Sequence, residues 1–178
     1  MRLSGAIMVV SMNSFVTVRA FKESDLPAVA NVHALAFSRQ HHSHTWIECN
    51  ARAYPRLRYF VACVEAADQI CGFVVWGEKS GFREEVVLEL EQIAVLPDLQ
   101  GRGIGETLIR KSLPVVVDHI QERGARLKAV LVTTRVDNYA QRLYRKTLGA
   151  EVEAVILNLF SADEVFMVAR NPLASICG

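Results

Sequence analysis

Residues 90–105 read LEQIAVLPDLQGRGIG, and this stretch decides how the chain folds. An apolar, strand-like run reaches Val95. A turn follows through Pro97 and Asp98, and Gln100, Gly101, Arg102, Gly103, Ile104 and Gly105 then lead into a long amphipathic segment. A strand that feeds a glycine-rich turn opening a helix leaves several backbone N–H groups pointing at one spot. Those first N–H groups have no acceptor within the helix, and the helix dipole adds positive potential there, so the spot suits a phosphate or pyrophosphate.

Spacing excludes two common nucleotide loops. The dinucleotide fingerprint G-x-G-x-x-G, counted from Gly101, meets Glu106 where the third glycine belongs; counted from Gly103, it meets Leu108. A P-loop counted from Gly101 also meets Glu106 at its second glycine. The pattern present is Gln-x-x-Gly-x-Gly, from Gln100 to Gly105. It resembles the acyl-CoA pyrophosphate loop of the GNAT superfamily of N-acetyltransferases. Further on, RVDNYAQRLYRKTLGA, residues 135–150, resembles the second signature of that family. There an Asn opens a short helix, a Tyr follows six residues later, and a Gly closes the helix; here these are Asn138, Tyr144 and Gly149. Two signatures in the right order are more specific than either alone. The resemblance spans about residues 16–169 and implies a single α/β domain around a mixed sheet of about six or seven strands flanked by helices.

Bulk properties agree with that class. The chain has 178 residues, 51% of them apolar, with 20 Lys+Arg against 19 Asp+Glu. A chain of this length buries roughly 70% of its unfolded surface and needs no covalent staples. Its near-zero net charge gives no general pull on nucleic acid, and no apolar run reaches the ~18 residues of a membrane span. Cys49, Cys63, Cys71 and Cys177 show neither C-x-x-C nor zinc spacing, so reduced thiols and a cytoplasmic location are expected. Cys63 and Cys71 are placed to face each other across a hairpin. Residues 1–14 read as a disordered or non-native extension (Met12 is a second possible start), 15–170 as the domain, and 171–178 as a tail.

Periodicity predicts a first strand over 15–21 and a helix capped by Ser24, with Leu26, Val29, Ala30, His33, Ala34 and Phe37 on one face. A histidine-rich loop covers 38–45 and a second helix 46–54, stopped by Pro55. Strands follow at 59–64 and 70–76 around a turn at Ala67, Asp68 and Gln69, and at 86–95. A helix from Gly103 to about Gly124 is loosened at Pro114. A strand at 127–134, continuously apolar as if covered on both faces, a helix at 138–148 closed by Gly149, and strands at 152–160 and 165–169 complete the order.

Acetyl transfer from a thioester to an amine requires the cofactor to be held, its carbonyl polarised, the amine deprotonated and the leaving thiolate protonated. The resemblance assigns holding to the amides of Gly101, Arg102, Gly103, Ile104, Gly105 and Glu106, with Gln100 at the head of the loop. Main-chain groups of Ile93, Ala94 and Val95 polarise the carbonyl where the family's strands splay. Asn138 meets the pantetheine amides or caps the following helix, or both. Tyr144 protonates the thiolate; by spacing alone it is also part of an apolar stripe. Arg110, Lys111, Arg145 and Lys146 are candidates for the ribose phosphate. Glu91, then Glu89, are candidates for the base, two apart on one strand face unless a bulge intervenes. Their alternative is an exposed sheet face or a structural ion pair. His42 and His44 lack companion ligands, so no metal is expected; His33 reads as a core residue and His119 as a surface one. The implied activity is transfer from acetyl-CoA to a primary amine by direct attack in a ternary complex. A small-molecule amine is the first acceptor class, a protein amine the second, and a non-catalytic CoA-binding module the rival. The family also suggests a homodimer.

Overall fold

The computed structural model describes residues 16–64 and 69–177. The readings of residues 1–14 and of the turn at Ala67 and Asp68 lie outside the described residues. Seven strands form one sheet: β1 (Val16–Ala20), β2 (Leu57–Val64), β3 (Gln69–Glu78), β4 (Glu85–Val95), β5 (Arg126–Arg135), β6 (Glu151–Ile156) and β7 (Glu164–Ala169). Their spatial order is β1-β2-β3-β4-β5-β7-β6. Only β4 and β5 run parallel, joined by a helical crossover; every other neighbour pair is antiparallel.

Helices cover both faces. On one face α1 (Leu26–Ala36) and α2 (Ser43–Ala51) set Val29, Val32 and Ile47 against Val61, Phe73 and Val75. On the other, α3 (Ile104–Glu122) and α4 (Gln141–Leu148) set Leu108, Val116, Ile120 and Leu148 against Val74, Trp76, Leu88 and Val130. Trp76 Nε1 donates to Ser112 Oγ at 2.8 Å, which satisfies the polar end of a fully buried indole and ties β3 to α3. A short α5 (Pro172–Cys177) closes the chain. Arg110 Nη1 donates to the carbonyls of Ser175 and Ile176, and Leu173 and Ile176 pack on the α3 side of the core.

Several boundaries differ from the sequence reading, each for a local reason. Ser24 lies inside a 3-10 turn, and Asp25 organises the start of α1 instead. Its carboxylate accepts from the Lys22 N–H at 2.7 Å and from both Arg19 terminal nitrogens at 2.7 and 3.0 Å. On α1, Val32 is buried and Ala34 is exposed. Helix α2 begins at Ser43 rather than residue 46, because His42 adopts φ 59 and turns the chain into it. Helix α3 runs on through Pro114. Strand β5 alternates in burial rather than being covered throughout. Helix α4 starts at Gln141, not 138, and β6 ends at Ile156, not 160. Cys63 and Cys71 lie in different clusters on opposite faces, since a register shift beside Cys63 breaks the expected facing.

Candidate active site

The parallel β4–β5 ladder stops at the pair Glu89↔Leu131. Beyond it β4 continues to Val95 against β3, and β5 continues to Arg135 against β7, so the two strands separate. A cleft of about 640 Å³ opens from this fork. Its walls include Glu91, Gln92, Ile93, Ala94 and Val95 of β4; Thr134 of β5; Phe37 and Gln40 after α1; the glycine loop; and Asn138, Tyr139, Leu143 and Tyr144. Strand edges that lose their partner within a cleft carry free N–H and C=O groups, to which an extended amide chain can add.

The glycine loop stands at the mouth. A 3-10 turn over Pro97–Leu99 leads into Gly101 at φ 74 and Gly103 at φ 81, values that favour glycine. Gly103 is the N-cap of α3, and no side chain caps that helix. The cleft is therefore lined at this end by Gly103, Ile104, Gly105 and Glu106, whose first-turn amides have no helical acceptor. Gln100 braces the loop to the strand: its Nε2 donates to the Val95 carbonyl at 3.1 Å. A methyl at Gly105 would lie 3.2 Å from Leu143 Cδ2, so the missing side chain lets α3 and α4 approach. Arg102 is exposed, hydrogen-bonds the Asp98 carbonyl and does not line the cleft.

Of the cations suggested for a ribose phosphate, Arg110 is engaged by Glu106 at 3.0 Å and by the end of α5, and Lys146 pairs with Glu106 at 2.7 Å. Lys146 first, then Arg110, hold the Glu106 carboxyl below the usual range, with burial opposing. That pairing offsets the charge of a glutamate that stands in the first turn of α3.

Asn138 precedes α4 by one short turn. Its Oδ1 accepts from the Ala140 N–H at 2.9 Å and its Nδ2 donates to Thr134 Oγ1 at 2.8 Å, so it closes the turn before the helix and ties it to β5; the N-cap of α4 is Ala140, which has no side-chain cap. Tyr144 is 5% exposed, and its hydroxyl has no hydrogen bond among the described residues. Burial pushes this phenol up to about 12. It stays protonated at neutral pH, at the junction of the cleft and the core.

Glu89 and Glu91 converge on one cation. Lys79 Nζ lies 2.9 Å from Glu89 Oε2 and 3.4 Å from Glu91 Oε1. A bulge does intervene: Trp76 pairs with Leu90 and Val75 with Gln92, leaving Glu91 as the extra residue. Gly77 makes the space for it, since a methyl there would come within 2.5 Å of Glu91 Oε1. Glu91 lines the cleft, whereas Glu89 does not. The bulge turns Gln92 toward α1 and α2, where it meets Trp46 and His33. Gln92 and Gly77 escaped the sequence reading because ELEQ alternates as an unbroken strand would, and an isolated Gly in a strand was the one signal of a close approach. On α2, His44 Nδ1 lies 3.9 Å from Glu48 Oε2; among the described residues no three His, Cys, Asp or Glu side chains converge as a metal site would need. No described helix is long and apolar enough to cross a membrane.

The overall fold is similar to that of solved N-acetyltransferases. The ribosomal-protein-S18-alanine N-acetyltransferase of Escherichia coli is 20% identical, with a TM-score of 0.65 over 88% of this chain and 94% of that one. The spermidine/spermine N-acetyltransferase SpeG of Vibrio cholerae is 23% identical, with a TM-score of 0.66 over 88% and 93%. An aminoglycoside 6'-N-acetyltransferase complexed with coenzyme A is 14% identical, with a TM-score of 0.66 over 85% and 95%. At these identities the likeness is one of fold. No curated protein matches the sequence. The family model described as Acetyltransferase (GNAT) family matches residues 26–150, and the chain belongs to that family.

Proposed function

We propose that this protein transfers an acetyl group from acetyl-CoA to the primary amine of a small molecule, by direct attack in a ternary complex. The observation that carries this reading is the fork between β4 and β5, with an uncapped glycine-loop helix at one end and a buried, unpartnered tyrosine at its side. The residues fit the cofactor: free first-turn amides suit a diphosphate, and the separated strand edges suit the amides of an extended arm. Acetyl-CoA would supply the activated acetyl group as a thioester.

The chain's own groups meet the remaining needs. Amides of 101–106 hold the diphosphate, and the Ile93–Val95 backbone orients and polarises the carbonyl. Glu91, in the cleft wall beside Lys79, draws the proton from the incoming ammonium, directly or through a water. Tyr144 holds its proton at the cleft until the departing sulfur needs one. No cysteine side chain lines the cleft among the described residues, so nothing there invites an acyl-enzyme route. The acceptor approaches over the α1–α2 side of β4, where Glu91 and Gln92 stand. Release of free CoA thiol, measured with acetyl-CoA across a panel of amines, tests the reading. Amine-dependent release supports it; tight acetyl-CoA binding with no release above background on any amine points to a binding module instead.

A further inference from the structure

Gln92 carries a hydrogen-bond chain that acetyl transfer as described above does not use. Trp46 Nε1 donates to Gln92 Oε1 at 3.2 Å, and Gln92 Nε2 lies 3.4 Å from His33 Nε2. His33 is fully buried, and its other nitrogen, Nδ1, lies 2.9 Å from Ser43 Oγ. The directions follow from the groups. An indole N–H only donates, so the Gln92 atom facing Trp46 is the carbonyl oxygen and the atom facing His33 is the amide nitrogen. His33 Nε2 must then accept, which puts the single imidazole proton on Nδ1, aimed at Ser43. The chain runs Trp46→Gln92→His33→Ser43 and ties α1 and both ends of the first turn of α2 to β4. The groups facing the imidazole are Ser43, Gln92, Gln40 and the rings of Phe37 and Phe73, all uncharged. Burial holds the imidazole below the ordinary histidine value, so the ring stays neutral.

A bulge disrupts its ladder and leaves the extra residue unpaired, so the strand alone does not fix where Glu91 points. On one side Gly77 leaves room for the carboxylate; next to it Gln92 is gripped at both ends of its carboxamide. We propose that the Trp46–Gln92–His33–Ser43 chain fixes the β4 bulge and thereby aims Glu91 at the acceptor amine. Gln92 and His33 are positioning residues that act through Glu91. The inference rests on the acceptor approaching β4 from the α1–α2 side. Its consequence is a split between substrates: loss of the chain impairs the amine half of the site and spares the CoA half, which is held by the loop before α3.

The test uses the full chain and three variants. His33→Leu and Gln92→Met remove the polar links; His33→Gln offers a carbonyl oxygen to Gln92 in place of Nε2. Nitrogen-15 NMR of the histidine rings in the resting protein is expected to show His33 as the Nδ1–H tautomer. Hydrogen exchange at the amides of 91–93 should quicken by about tenfold or more in His33→Leu and Gln92→Met, return toward the parent rate in His33→Gln, and stay unchanged in β5 and β7. With spermidine, benzylamine and a tripeptide bearing a free N-terminal alanine as amine probes, KM for the accepted amine should rise by about tenfold in the first two variants, with KM for acetyl-CoA held within about twofold. An Nε2–H tautomer, parent exchange rates at 91–93 in both variants, or equal losses for amine and acetyl-CoA would each overturn the proposal. If the parent protein acetylates none of the probes, the transfer reading fails by itself, while the tautomer and exchange results still decide whether the chain holds the bulge.

Discussion

Tyr144 and Glu91 stand at two walls of one cleft, and the proposed reaction gives them opposite proton tasks. Burial raises the Tyr144 phenol to about 12, so it carries its proton across the whole neutral range. Tyr144→Phe keeps the ring and removes only that proton; kcat should fall by about 10²-fold, the usual scale of general acid catalysis, while acetyl-CoA affinity is nearly kept. Steady-state kinetics with isothermal titration of acetyl-CoA measures both, and an unchanged kcat removes Tyr144 from the acid role. Gly77 offers an independent probe of Glu91. A methyl at this position would sit 2.5 Å from Glu91 Oε1 and 2.7 Å from its Cγ, so the carboxylate must move. The obstructing group is the flexible end of a side chain, so the fold tolerates Gly77→Ala while the base is displaced. Turnover should drop by about tenfold or more with little change in melting temperature, and full activity in a folded Gly77→Ala protein would separate Glu91 from the reaction.

At the scale of elements, the loop between β4 and α3 was legible in detail because its information is local. Glycines at 101 and 103 sit at φ 74 and 81, as a tight turn into an uncapped helix requires. Gly103→Val forces a β-branched residue into that conformation and crowds the amides; acetyl-CoA affinity should fall by about tenfold or more before any change in catalysis is seen, read by calorimetry on the purified variant. An undiminished affinity would detach the loop from the cofactor. The closure of α4 was legible for the same reason: Gly149 takes φ 65 at its end, and a side chain there would also meet Ser175 of α5 at 2.8 Å. The β4 bulge was not legible. Glu89-Leu90-Glu91-Gln92 reads as plain alternation, and only the pairing with Val75 and Trp76 shows that Glu91 is extra. The start of α4 was missed because Asn138 does cap, but caps a turn against Thr134 rather than the helix itself. Arg110 is held by the carbonyls at the end of α5, a contact between residues far apart in sequence that no local pattern announces.

At the scale of the whole molecule, the element order and the mixed sheet followed from periodicity and the two signatures, whereas the strand order and the face each element covers did not. The far edge illustrates the gap: β6 alternates like a half-buried strand, yet every residue of it is exposed. The tertiary placement of His33 also sets a pH dependence for the fold. Burial lowers its folded-state pKa below the ordinary value of 6.5. Above that value both states are neutral. As the pH falls through it, the unfolded chain takes up a proton that the folded ring refuses, so stability declines from about pH 6.5 down toward the depressed folded pKa. Glu164, whose carboxyl burial raises, works in the opposite sense nearer its ordinary 4.5, so the difference between proteins is the clean readout. Melting temperature should fall from pH 7 to 5.5 in the parent and fall less in His33→Leu; parallel curves would contradict a buried, neutral His33.

The central claim is that the fork of β4 and β5, with the amides opening α3, is an acyl-CoA site. Calorimetric titration of the purified protein tests it most directly. The account predicts saturable binding of one acetyl-CoA per chain, displaced by CoA and not matched by ATP; no heat from acetyl-CoA, or equal binding of ATP, would contradict it.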